Sequence, residues 1–134
     1  MHENFIRSFF TWYAHRLAFL VGATEAFTFS ARRNDGDFEF DLVVHIRPNE
    51  DRPEVLAASR NAFIEIARPC ITRGVAGTIG IEKPDGKQPP LFCLVIPLLE
   101  DGTIFAVMGF ISRCENMNDA KKKLNAIRQW VPKP

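Results

Sequence analysis

The stretch LFCLVIPLLEDGTIFAVMGFISR, residues 91–113, restricts what this chain can fold into more than any other. Two apolar runs, 91–99 and 104–111, flank Glu100-Asp101-Gly102. Asp-Gly between apolar runs signals a hairpin, because Gly accepts the positive φ that the turn requires. Neither run alternates with polar residues. A strand that is apolar on successive residues is covered on both faces and belongs in the middle of a sheet. The chain is therefore expected to be an α+β domain organised around this hairpin.

The remaining segments supply the covering layers. Over residues 3–21 apolar side chains recur at helical spacing in two stripes: Ile6, Phe10, Tyr13, Leu17 and Leu20, then Phe5, Phe9, Trp12 and Phe19. One stripe suffices to dock a helix on a sheet. The second is either buried by neighbours in the same chain or faced by a second copy of it, and Gly22 suits the helix end. Residues 26–33 and 38–47 read as strands joined by another Asp-Gly turn. In the second strand Phe38, Phe40, Leu42, Val44 and Ile46 share one face, and Glu39, Asp41, Val43, His45 and Arg47 the other. A helix is expected from Pro53 until Pro69 breaks it. Residues 75–81 form a weak, glycine-interrupted strand and 83–90 a loop. Asn116 or Asn118 caps a last helix with Met117, Ala120, Leu124, Ile127 and Val131 on one face, stopped by Pro132.

With 134 residues and no linker, repeat or low-complexity tract, one domain over 1–134 is expected, large enough for a core without disulfides or metal. The net charge of +1 gives no global attraction to nucleic acid or an anionic membrane. Lys121-Lys122-Lys123 reads as a solvated helix face. Cys70, Cys93 and Cys114 are odd in number and lack CxxC spacing, which argues against a disulfide framework and a zinc site. The N-terminus is not a signal peptide, and no uncharged apolar stretch is long enough to span a bilayer. A cytoplasmic domain without membrane or nucleic-acid partners follows as the expectation.

The order of helix, two strands, helix, weak strand, strong hairpin and helix resembles the GAF domain family. The matching piece is LVIPLLEDGTIFAVMGF, residues 94–110: an apolar strand ending in Pro-Leu, a Gly-bearing turn, and a second apolar strand. The family usually carries Gly where this chain has Phe105 or Ala106, while residues 12–23 resemble the helix that leads into its first strand. The resemblance implies an antiparallel sheet with the first and last helices on one face. The 53–68 helix and the irregular 70–90 segment would then enclose a pocket on the other. Family members often bind cyclic nucleotides, tetrapyrroles or other small molecules there, or dimerise through helices.

On that expectation Val43, His45, Arg47, Cys70, Arg73, Thr78 and Cys93 are the candidate ligand-facing residues, and Phe5, Phe9, Trp12 and Phe19 the candidate dimer face. His45 and Arg47 suit an anionic or polar ligand if their strand face lines the pocket, and are solvent-exposed strand residues otherwise. No HxxxH, HExxH, GxSxG, P-loop or acidic metal cluster occurs, so no catalytic residue, metal or cofactor is assigned. The expected role is a non-enzymatic sensory or regulatory module that binds a small molecule in a pocket on one sheet face and signals through a homodimer or a partner protein. One alternative is a ligand-free interaction module whose pocket is filled by its own Phe side chains. Another is a thiol-dependent methionine sulfoxide reductase, for which the three cysteines lack the surrounding motif.

Overall fold

The computed structural model describes residues 2–47, 53–81, 86–87 and 89–130, with side chains from residue 11 onward except 34 and 53–61. The helix α1 (His2–Val21) leads into the hairpin β1 (Ala23–Asn34) and β2 (Asp37–Ile46). Next come α2 (Pro53–Arg73), β3 (Gly77–Gly80), the hairpin β4 (Leu91–Glu100) and β5 (Thr103–Arg113), and α3 (Met117–Arg128). The strands form one antiparallel sheet in the order β2-β1-β5-β4-β3, so the apolar hairpin occupies its middle as the patterning requires. Both hairpin turns hold Asp and Gly at positive φ, Asp35 (51°) with Gly36 (85°) and Asp101 (51°) with Gly102 (79°). That pair of angles defines the tight turn whose twist matches antiparallel strands.

Two apolar layers sandwich the sheet. One lies under α1 and α3 and includes Leu17, Leu94, Met108, Phe110, Leu124 and Ile127. The other lies under α2 and includes Phe27, Phe29, Phe63, Val95, Val107 and Ile111. Helix α1 turns Ala14, Leu17, Ala18 and Val21 inward and leaves Trp12, Phe19 and Leu20 exposed. Small residues face the sheet because its surface there already carries bulky side chains such as Phe110 and Met108. Phe5, Phe9, Ile6 and Phe10 lie in α1, but their side chains fall outside the described residues, as do Val131 and Pro132. Helix α3 is capped reciprocally. Asp119 N–H donates to Asn116 Oδ1 at 2.9 Å, and Glu115 N–H donates to Asp119 Oδ2 at 2.8 Å.

Two features differ from the sequence-based expectation. Pro69 does not end α2, which continues to Arg73. Phe63 and Ala67 before it, and Cys70 and Ile71 after it, belong to the same buried layer, so packing holds the helix across the missing hydrogen bond. The true stop is Gly74, at φ 66°, with Gly74 N–H donating to the Ile71 carbonyl and Val75 N–H to that of Cys70. The second difference is a bulge: Thr28 pairs with Val44 but Phe29 pairs with Leu42, leaving Val43 as the extra residue. The five apolar residues of β2 are therefore split between faces. Phe38, Phe40 and Leu42 pack in the α2 layer, whereas Val44 and Ile46 pack in the α1/α3 layer.

Replacing exposed Pro69 with Ala restores one helical hydrogen bond, and chemical denaturation should show a gain of about 1–3 kcal/mol. Thr28 offers a second test, because its buried Oγ1 has no hydrogen-bond partner. Thr28→Val keeps the shape and removes the unsatisfied hydroxyl, so a gain of about 1 kcal/mol is expected in the same assay.

Candidate functional site

The α2 layer is the place to look for a ligand site, and its centre is aromatic. Phe63 of α2 sits against Gly109 of β5 so closely that a Cβ there would overlap its ring. The same ring stacks on Phe27 at 5.5 Å and on Phe29 at 5.6 Å between centroids, with interplanar angles of 26° and 9°. Phe27 in turn stacks on the imidazole of His45 at 4.7 Å and 7°. His45 Nε2 lies 3.2 Å from Glu25 Oε2, and both side chains are only 11% exposed. This pair is a polar group at the margin of an otherwise apolar layer. Burying it is favourable only because each partner satisfies the other.

The sequence-derived candidates scatter over this frame. His45, Cys70 and Cys93 meet the α2 layer, and the β2 bulge is what turns His45 toward it. Val43 packs against the opposite layer, and Arg47 lies half-buried just beyond the end of β2. Thr78 faces α3, its hydroxyl donating to Met117 Sδ at 3.0 Å. Arg73 lies at the end of α2, lining a separate small cavity with Arg33. Glu25 and Phe63 were missed by the sequence reading. Only the pairing of β1 with β2 brings Glu25 beside His45, and a lone Phe on a helix face carries no label of its role.

All three cysteines are buried, including Cys70 and Cys114, which sequence position alone left open to solvent. Burial pushes the Cys93 thiol far above its ordinary range, with Cys70 adding to the effect. Burial also raises Cys70, against the opposing charge of Arg73, and Cys114, against that of Lys123. These thiols hold their protons at neutral pH and are poor nucleophiles. Among the described residues no cluster of three or more His, Cys, Asp or Glu is placed to hold a metal ion. No described helix is long and apolar enough to cross a membrane.

On the outer side of α1 an open groove of about 500 Å3 is lined by Trp12, Tyr13, His15, Arg16, Leu17, Phe19, Leu20 and Trp130. Trp12 is 59% exposed, Phe19 91% and Trp130 63%. The Arg16 guanidinium lies 5.4 Å from the Trp12 ring centroid. Of the expected dimer-face residues, Trp12 and Phe19 are thus on the outer surface, while Phe5 and Phe9 lie outside the described side chains.

An open five-stranded antiparallel sheet with α1 and α3 on one face and α2 on the other is a GAF-like architecture. The chain is similar to a solved structure of the photoproduct state of GAF3 from Slr1393 of Synechocystis sp. PCC6803. The TM-score is 0.59 at 11% identity, over 91% of this chain and 85% of that one. The fold of this chain is GAF-like. A second solved structure, an IclR homolog from Microbacterium hydrocarbonoxydans complexed with 4-hydroxybenzoate, matches with a TM-score of 0.38 at 10% identity, over 89% of this chain and 66% of that one. No family model and no curated protein sequence matches the chain.

The Phe63–Gly109 contact makes a direct prediction. Gly109→Ala should cost about 3 kcal/mol or more, because strand backbone and helix ring cannot both stay in place. Combining it with Phe63→Ala should give a loss clearly smaller than the sum of the two single losses in a double-mutant cycle. Additive losses would show that the two residues do not share the space.

Proposed function

We propose that this chain, as one domain over 1–134, is a GAF-like sensory or regulatory domain without catalytic activity. It takes a small molecule between α2 and the sheet and reports occupancy through the α1 side to a second copy or a partner protein. The observation that carries this reading is the division of labour between the faces. The α2 face holds a stacked aromatic layer with the buried Glu25–His45 pair at its margin, whereas the α1 side exposes Trp12, Phe19 and Trp130. Exposed aromatic side chains grouped on one face are the usual mark of an interaction surface.

Strand β5 joins the two faces. Val107, Gly109 and Ile111 meet the α2 side, while Met108, Phe110 and Ser112 meet the helical side. Ser112 Oγ donates to the Val21 carbonyl at 2.8 Å, and Lys123 Nζ donates to the Arg113 carbonyl at 2.6 Å. A ligand that displaces Phe63 from Gly109 would load β5, and these two bonds connect β5 to the end of α1 and to the middle of α3. Of the seven candidates Val43, His45, Arg47, Cys70, Arg73, Thr78 and Cys93, the ligand-side residues of this proposal are His45, Cys70 and Cys93, which meet the α2 layer, with His45 beside its aromatic rings.

A specific observation favours a second reading, a ligand-free interaction module. Phe63 already fills the centre of the α2 layer, as an internal substitute for a ligand would. Native mass spectrometry of the purified protein against its denatured mass separates the two. Extra mass beyond the summed chains supports the sensor and gives the ligand's mass, whereas a clean dimer without it supports the module. The interface has its own test: Trp12→Glu with Phe19→Glu should weaken self-association at least about a hundredfold in sedimentation analysis. A dimer that survives the double substitution removes this face from the assignment.

A further inference from the structure

The C-terminal end of α2 meets the hairpin end of the sheet around a cavity of about 180 Å3. Its chemistry is opposite to that of the aromatic layer. Arg33 from β1 and Arg73 from α2 both line it, together with Thr72, Thr103 and the turn residue Gly102. Among the described residues neither guanidinium is in an ion pair. Arg33 lies over the Phe38 ring with its guanidinium carbon 5.6 Å from the centroid, a contact that orients a cation without neutralising it. Arg73 occupies the last turn of α2, where its charge opposes the carbonyl end of the helix. That helix end contributes about half a negative charge, against two full positive charges from the arginines. Asp35 and Asp101 in the neighbouring turns, Asp37 at the start of β2 and Glu100 at the end of β4 are the nearby acidic residues in the chain, and none of them lines the cavity.

We propose that this cavity binds a phosphate group, either the free ion or the end of a small phosphate monoester. Two arginines and two threonines, all solvent-exposed at the rim of one cavity, can together supply more donors than the two oxygens of one carboxylate accept, and a tetrahedral phosphate uses them better. The volume is below the range of about 300–1,000 Å3 usual for whole drug-sized ligands, so the site takes the anionic group and leaves the rest of a larger molecule outside. The site lies apart from the Phe63 layer. Its existence does not depend on the sensor reading, and either can fail alone.

The test is a titration of the full-length protein with inorganic phosphate, glycerol 3-phosphate and succinate at constant ionic strength, followed by amide NMR. Saturable shifts centred on Thr72, Arg73, Gly102 and Thr103 are expected with at least one of the two phosphates. Tighter binding of glycerol 3-phosphate assigns a monoester, and equal or tighter binding of inorganic phosphate assigns the free ion. Arg33→Gln and Arg73→Gln should each weaken binding about tenfold, from loss of a charged hydrogen-bonding partner, and the double variant should show none. Arg68→Gln, at an exposed residue paired with Glu65 outside the cavity, should bind like the parent. The proposal is overturned by non-saturable or scattered shifts in the parent protein, by succinate binding as tightly as phosphate, or by a folded double variant that still binds.

Discussion

The contact of the Phe63 ring with the backbone of Gly109 sets the distance between α2 and the sheet. Glycine at that point of a buried strand is otherwise unfavourable, since it packs nothing and loses the most chain entropy on folding. Here the absent Cβ is filled by an aromatic ring from the opposite element. The ring's remaining surface is taken up by Phe27 and Phe29 from the neighbouring strand, so one side chain ties α2 to β5 and β1 together. The near-parallel stacking gives this layer a flat, slab-like interior.

Sorting side chains between the two layers depends on a second constraint, the extra residue at Val43. Without it His45 would share a face with Asp41 and point away from Phe27. With it, the imidazole stacks on Phe27 and reaches Glu25. A single inserted residue thereby trades one apolar alternation for a buried polar pair. Strand β4 makes a related accommodation. Its Pro97 cannot donate to a neighbour, but β3 pairs only with Phe92 to Val95, so β4 is an edge where the proline stands.

Much of this architecture is legible in the sequence because the signals are local. The two Asp-Gly turns, the doubly apolar hairpin and the Asn116 cap each depend on a few adjacent residues whose conformational preferences agree with the fold. The misread features depend on partners far away in the chain. Pro69 is a helix breaker by local rules, and only the burial of Cys70 and Ile71 beyond it carries α2 onward. The Val43 bulge is invisible in a strand that alternates cleanly when considered alone. The candidate site suffers most from this. Glu25 with His45, Phe63 with Gly109 and Arg33 with Arg73 are pairs from separate elements, and no spacing rule along the chain brings their members together.

The α1 helix shows how one segment serves two demands at once. Its alanines let it approach a sheet surface already crowded by Phe110 and Met108, and this rotates its aromatic residues to the outside. The exposure of Trp12 and Phe19 is thus a consequence of how the inner layer is filled, independent of any partner. Trp130, just past α3, adds a fourth aromatic ring to the groove that Trp12, Tyr13 and Phe19 line, and does so from a different element. The inner packing explains the direction of the α1 aromatics but not this convergence of Trp130 with them. An arrangement that places three large apolar side chains side by side in water is costly unless something covers them. The inner face of α1 is therefore explained by the sheet alone, while its outer face, where Trp130 converges on Trp12 and Phe19, is the surface on which the proposed association rests.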